Sequence, residues 1–125
     1  MPTTIYVDGG CHNNGTPQAR MYGSYKIGGQ HVVRLDLPPN GRHTNNRAEY
    51  LALITCLEEA RLQGLESILV LAGSQLLVNQ VNGDWKIKDL RFAFLKVKID
   101  SLRAEFKEFA LQWVDRGQIF RVLGH

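Results

Sequence analysis

The sequence predicts an α/β domain in which helices pack on a mixed β-sheet. Some segments alternate with the two-residue period of strands, and others follow the 3.6-residue period of helices. The resulting order is three strands, a helix, a strand, further helices and a last strand, which is typical of a mixed sheet covered by helices. The chain has 125 residues, a length that suits one compact core. We therefore expect a single domain over residues 1–125.

The first three strands are predicted to form an antiparallel meander. Residues 3–8 are apolar on both faces until the last position, as expected of a central strand. Residues 9–18 contain Gly, Asn and Pro, which predicts a loop. The second strand covers residues 21–27, and a Gly-Gly pair then indicates a tight turn into a third, alternating strand over residues 30–37.

A long apolar helix is predicted after the meander. Thr44 or Asn45 can cap its N-terminus, and Gly64 provides a stop signal just after residue 63. Apolar residues occupy nearly every side of this helix, so we expect it to be buried in the middle of the fold. The short strand over residues 67–72 then returns by a crossover and pairs in parallel with the first strand.

Two more helices and one more strand complete the prediction. A short helix covers residues 74–81, and apolar residues at helical spacing predict a longer helix over residues 88–106. Residues 109–114 form the last strand. The helices are expected to pack on the sheet.

The composition excludes several classes of protein. No apolar run approaches the roughly 20 residues of a membrane helix, and the N-terminus lacks the features of a signal peptide, so we expect a cytoplasmic protein. Cys11, expected in a loop, and Cys56, expected in the buried helix, are too few for a disulfide framework. The four histidines are too scattered for a zinc site. The net charge of +3 permits a polyanionic partner but does not require one.

Two acidic residues are candidates for chemistry. Asp8 ends the first strand and is followed by Gly9 and Gly10, so its charge would lie where a backbone can approach a ligand closely. An ordinary turn acid is an equally good interpretation. Glu49 lies in the first turns of the apolar helix, where a buried carboxylate needs a partner or a metal ion. A capping-box acid or a partner of Arg47 remains an alternative for Glu49.

Four segments resemble the successive signature blocks of type 1 ribonucleases H, in the order and at the spacing of that family. They are residues 5–11 (IYVDGGC), 44–50 (TNNRAEY), 73–78 (GSQLLV) and 84–88 (DWKIK). The resemblance covers the chain from about residue 3 to residue 114. It implies a five-stranded mixed sheet of order 3-2-1-4-5, with the first three strands antiparallel, and cleavage of the RNA strand of RNA–DNA hybrids.

The resemblance also implies a metal site. The family uses four carboxylates to hold two divalent ions, Mg²⁺ or Mn²⁺. Asp8 and Glu49 match the first two of these acids, with Asp8 in the bridging position, whereas Gly73 takes the place of the third and Leu123 best matches the fourth. No shift of the alignment restores the fourth acid, because Asp115 is the last acid in the chain. We therefore expect weakened metal binding and weak or absent hydrolysis.

A nucleic-acid surface is the last implication of the resemblance. Its neutral residues would reach the minor groove and the sugars of an RNA–DNA hybrid; they are Cys11, Asn14, Asn45 and Gln75. Other residues would contact phosphates, or a sugar in the case of the tryptophan; they are Thr44, Asn46, Trp85, Lys86, Lys88 and Arg91. A solvated helix start and a core-edge aromatic remain alternatives for the two lysines and the tryptophan. We expect a monomer, and a hybrid-binding module without catalysis is the alternative function.

Overall fold

The computed structural model describes residues 2–13, 16–37 and 44–124, and its elements follow the predicted order. They are β1 (Thr3–His12), β2 (Arg20–Ile27), β3 (Val33–Leu37), α1 (Asn45–Leu62), β4 (Ser67–Ala72), α2 (Gln75–Val81), α3 (Leu90–Arg103), β5 (Glu108–Trp113) and α4 (Arg116–Leu123). The five strands form one sheet of order β3-β2-β1-β4-β5. β1, β2 and β3 are antiparallel to their neighbours, whereas β4 pairs in parallel with both β1 and β5. The predicted fold class and strand order are confirmed.

The first strand is longer than the sequence pattern predicted. β1 continues through residues 9–12 because these residues stay paired with β2, from Gly9 opposite Gly23 to His12 opposite Arg20. The prediction that Asp8 ends the strand was therefore wrong, and Cys11 lies in the strand rather than in a loop. Glycines are weak strand formers, but here the ladder to the neighbouring strand outweighs that local preference.

Two other boundaries differ for local reasons. β3 begins at Val33 rather than at residue 30, because the backbone N–H of Gln30 donates to the carbonyl of Ile27 and closes a turn. The long helix α3 begins at Leu90 rather than at residue 88, because the side chain of Asp89 caps it by accepting from the backbone N–H of Arg91. It ends at Arg103, before the predicted residue 106.

Helices cover the two faces of the sheet. α1 packs on β1 and β2 from one face, and its residues, with those of β1 and β4, form most of the buried core. Thr44 caps α1, since its side chain accepts from the backbone N–H of Arg47, and Gly64 follows the helix with a φ of +76°. α4 packs on β1 and β2 from the other face. None of the helices in the described ranges is long and apolar enough to cross a membrane.

Candidate functional site

Asp8 lies where the central strand continues past one of its neighbours. The parallel pairing of β1 with β4 ends at Val7 opposite Ala72, whereas the antiparallel pairing with β2 continues, with Asp8 opposite Ser24. The side chain of Asp8 is 1% exposed. A buried carboxylate is costly unless a charge or a hydrogen bond compensates it, so its neighbours decide what it can do.

Gly9 allows the long helix to lie directly on the central strand. A Cβ atom built on Gly9 would lie 2.6 Å from the carbonyl oxygen of Ala48 and 2.8 Å from the backbone nitrogen of Glu49. Real Cβ atoms do not approach backbone this closely, so only glycine fits here. The close contact at this glycine is with the backbone of α1, and a close approach to a ligand stays a prediction. The contact brings Glu49 beside Asp8.

Asp8 and Glu49 form a buried carboxyl pair. Burial, and then the charge of Asp8, raise the pKa of Glu49 far above the usual range of a carboxyl. Neither side-chain oxygen of Glu49 receives a hydrogen bond of ordinary geometry from the described residues. A capping box would place its acid three residues after Thr44, where Arg47 stands. Glu49 is therefore part of the site rather than of the helix cap.

Position 73 faces this carboxyl pair from the end of β4. A Cβ atom built on Gly73 would lie 3.6 Å from Oδ1 of Asp8 and 3.2 Å from Cγ1 of Ile119. The backbone of Gly73 is not left-handed, so a side chain is compatible with it. An acid at this position would thus join Asp8 and Glu49, as the resemblance implies, but glycine supplies no ligand. Within the described ranges, no three His, Cys, Asp or Glu side chains are grouped to hold a metal ion.

The last helix places a different residue at the site from the one expected. Its side chain beside position 73 is that of Ile119, whereas the carbonyl of Leu123, one turn later, accepts from Nη2 of Arg34 on β3. Ile119 is thus the α4 side chain nearest to position 73, and the match of the fourth acid to Leu123 stays a prediction. Asp115 does not substitute, because its side chain caps α4 by accepting from the backbone N–H of Gln118 at 2.9 Å.

Arg116 is the site residue that sequence reasoning missed. Its Nη1 lies 3.7 Å from Oδ1 of Asp8, and its Nη2 lies 3.9 Å from Oε1 of Glu49. The side chain is 68% exposed, so its guanidinium lies between the buried carboxyls and solvent. The sequence offered one signal: an arginine in the first turn after the last strand, close to the end of the chain. That signal does not show where the helix points.

Two aromatic rings of β1 and β2 border the pair. The phenol of Tyr22 has a raised pKa because it is buried and then because Asp8 lies nearby. Its ring stacks on His12, with centroids 4.6 Å apart. Together with Arg34, these side chains line an open groove of about 290 Å³. The alternating pattern predicts the strands but does not reveal that these rings meet.

Several of the predicted binding residues are close in sequence to the residues of the candidate site. Asn45 and Asn46 are exposed in the first turn of α1, one turn before Glu49, and Gln75 is exposed two residues after position 73. The half-buried Cys11 lies three residues after Asp8 on β1. The hydroxyl oxygen of Thr44 is used as the acceptor of the helix cap. Asn14 lies outside the described residues.

The predicted basic segment lies apart from these residues, between α2 and α3. Lys86 and Lys88 are exposed there, and Trp85 is 48% exposed. Lys88 precedes the helix instead of beginning it. The segment is held to α2 by the backbone N–H of Trp85, which donates to the carbonyl of Asn79. Arg91 is paired locally, with its Nη2 2.6 Å from Oδ2 of Asp89.

Comparisons with known proteins identify relatives of the whole fold. A family model described as Reverse transcriptase-like matches residues 28–120. A protein of Mycobacterium tuberculosis described as bifunctional is 34% identical over 120 residues, which are 94% of this chain and 32% of that protein. The chain therefore spans about a third of the length of the first curated relatives that it matches.

Solved structures agree with these matches. The RNase H1 of the halophilic archaeon Halobacterium salinarum is similar with a TM-score of 0.79 and 30% identity, over 98% of this chain and 92% of that one. An RNase H1 solved in complex with an RNA/DNA hybrid is similar with a TM-score of 0.77 and 27% identity, over 96% of this chain and 90% of that one. Both similarities extend over nearly the whole chain.

Proposed function

The chain belongs to the ribonuclease H-like superfamily, and from this premise we propose that it binds RNA–DNA hybrids and hydrolyses their RNA strand weakly or not at all. The observation that carries this proposal is Gly73, whose missing side chain would have pointed at Asp8. The same proposal covers the activity of any longer protein that contains this domain.

The hybrid is the proposed ligand because exposed amides lie next in sequence to the residues of the candidate site. A similar structure contains an RNA/DNA hybrid. Asn45 and Asn46 are exposed one turn before Glu49 on α1, and Gln75 is exposed two residues after position 73. Amides both donate and accept hydrogen bonds, as recognition of sugars and base edges in the minor groove requires. The overall charge of +3 favours any polyanion only mildly.

The residues present do not fit a site for two divalent ions. Mg²⁺ and Mn²⁺ prefer oxygen ligands, and the chain offers Asp8 and Glu49 but no third acid at position 73. The buried oxygens of Glu49, which accept no hydrogen bond of ordinary geometry from the described residues, support a pocket for a cation, yet two carboxyls lack the charge to hold two divalent ions. We therefore propose that divalent ions bind weakly.

A hybrid-binding module without catalysis is the second candidate. The contact of Arg116 with both carboxyls favours it, because a permanent positive charge at the site competes with any metal ion. The two candidates differ only in residual cleavage, so one assay separates them.

The test scores binding and cleavage of a labelled RNA–DNA hybrid separately while Mg²⁺ or Mn²⁺ is titrated. The decisive variant is Gly73→Asp, and the matched control is Gly29→Asp, which adds the same charge where a Cβ meets nothing within 4 Å. We expect Gly73→Asp to gain metal-dependent cleavage and Gly29→Asp to gain none. If wild type already cleaves at the rate of Gly73→Asp, or if wild type does not bind the hybrid, the proposed function is wrong.

A further inference from the structure

Arg116 lies beside both carboxyls of the candidate site. Its two terminal nitrogens each lie within 4 Å of a different carboxyl, 3.7 Å from Asp8 and 3.9 Å from Glu49. The guanidinium therefore spans the pair. An ion shared by the same two carboxyls would have to displace it or share its charge with it, which like-charge repulsion disfavours.

The helix that carries Arg116 packs against position 73 through Ile119. Ile119 packs beside Gly73 so closely that a Cβ there would lie 3.2 Å from its Cγ1 and 3.9 Å from its Cβ. Ile119 is fully buried, and Asp115 caps the helix immediately before Arg116. The glycine and the arginine are thus two parts of one arrangement: the space left by a missing acid admits Ile119, and Ile119 fixes the helix end that presents Arg116.

The guanidinium also remains available to a ligand. Its distances to the carboxyls are those of an ion pair and exceed hydrogen-bond length, and 68% of the side chain is exposed. Arginine has five N–H donors in a planar fork, which matches two oxygens of a phosphate. The buried carboxyls hold the guanidinium at the site without using up these donors.

We propose that Arg116 replaces the divalent ions of this site, balancing Asp8 and Glu49 and binding a backbone phosphate of the hybrid without metal. This inference rests on the proposed function, because the phosphate is that of the hybrid. Beyond the proposed function, the site binds the hybrid in the absence of Mg²⁺, and Arg116 excludes the divalent ion.

The experiment compares Arg116→Gln with Arg121→Gln, which removes the same charge from an exposed residue in the last turn of the same helix. Hybrid affinity is measured by fluorescence anisotropy in EDTA at several salt concentrations. We expect Arg116→Gln to weaken binding about tenfold and to reduce the slope of log affinity against log salt by about one. We expect Arg121→Gln to change affinity less than about twofold.

Binding of Mn²⁺ is measured on the same proteins without nucleic acid, from the loss of the free-ion EPR signal. We expect Arg116→Gln to bind Mn²⁺ about tenfold more tightly than wild type or Arg121→Gln, because the positive guanidinium no longer repels the ion. Thermal melts confirm that each variant is folded, as expected for exposed side chains.

The two measurements separate the inference from the proposed function. If wild type does not bind the hybrid, the proposed function fails, and the Mn²⁺ comparison still decides whether Arg116 excludes the ion. If wild type binds the hybrid only when Mg²⁺ is present, or if Arg116→Gln leaves either Mn²⁺ affinity or hybrid affinity at the wild-type value, the inference is overturned.

Discussion

Replacing Gly9 with alanine tests the contact that brings Glu49 to Asp8. The added Cβ would lie 2.6 Å from the carbonyl oxygen of Ala48, whereas ordinary Cβ contacts begin at 3.4 Å. Backbone cannot rotate away as a side chain can. Helix α1 must therefore move from β1 by about 0.8 Å, the difference between these two distances.

The expected cost follows from the packing that this movement disturbs. Overpacking a close-packed core costs about 1–3 kcal/mol, and alanine returns about 0.4–1 kcal/mol by restricting the unfolded chain. We expect a net loss of about 1–2 kcal/mol in the free energy of unfolding for Gly9→Ala. The movement also separates Glu49 from Asp8, so the pKa of Glu49 falls towards its usual range.

Gly10→Ala is the matched control on the same strand. A Cβ there would meet the hydroxyl end of the Tyr22 side chain rather than backbone. That side chain can rotate, at a cost that includes its stacking on His12, about 0.5–1.5 kcal/mol. The gain from restricting the unfolded chain offsets part of this cost, so we expect a smaller loss than for Gly9→Ala. Urea unfolding of both variants gives the comparison. A Gly10→Ala loss equal to or larger than that of Gly9→Ala would refute the reasoning.

Two further predictions concern the acid and one amide of the site. Because the pKa of Glu49 is raised in the folded state, its ionisation lowers stability as the pH rises: stability is fully present below pH 4.5, the ordinary pKa, and is lost as the pH approaches the raised value. We expect Glu49→Gln to be about 1–3 kcal/mol more stable than wild type at pH 8 and equally stable at pH 4. Thermal melts of both proteins between these pH values measure the difference in stability. A difference that does not change with pH contradicts the prediction. Asn45→Ala should reduce the preference for a hybrid over duplex DNA about fivefold in competition binding, whereas Gln30→Ala, an exposed amide on the β2–β3 turn, should leave that preference unchanged.

The fold was predictable because its elements are encoded locally. The alternating and helical periods, the cap at Thr44 and the stop at Gly64 each depend on neighbours in sequence. The end of β1 was not predictable in this way. Residues 9–12 have the composition of a loop, and only their pairing with β2 makes them a strand. Their pairing partners lie 8 to 14 residues further along the chain, so a local pattern does not contain them.

Part of the candidate site was also predictable, because its residues lie in recognisable local segments. Asp8, Glu49 and Gly73 were identified from the order of the blocks around them, and the structure brings these three positions together. Arg116 could not be identified, because its place depends on how Ile119 packs against a glycine more than 40 residues earlier in the chain. Tertiary packing, rather than spacing along the chain, determines which cation faces the acids.

The packing of Ile119 against Gly73 favours one order for the two substitutions, at positions 119 and 73, that would give this site a third acid. A third acid introduced first would enter a space whose wall is an isoleucine 3.2 Å from its Cβ, beside a carboxyl 3.6 Å away. Reducing the side chain at position 119 first opens that space and frees the helix end, after which the same acid meets less resistance. The two substitutions are therefore epistatic, and Gly73→Asp is expected to gain more cleavage when position 119 already carries a smaller side chain than it gains alone.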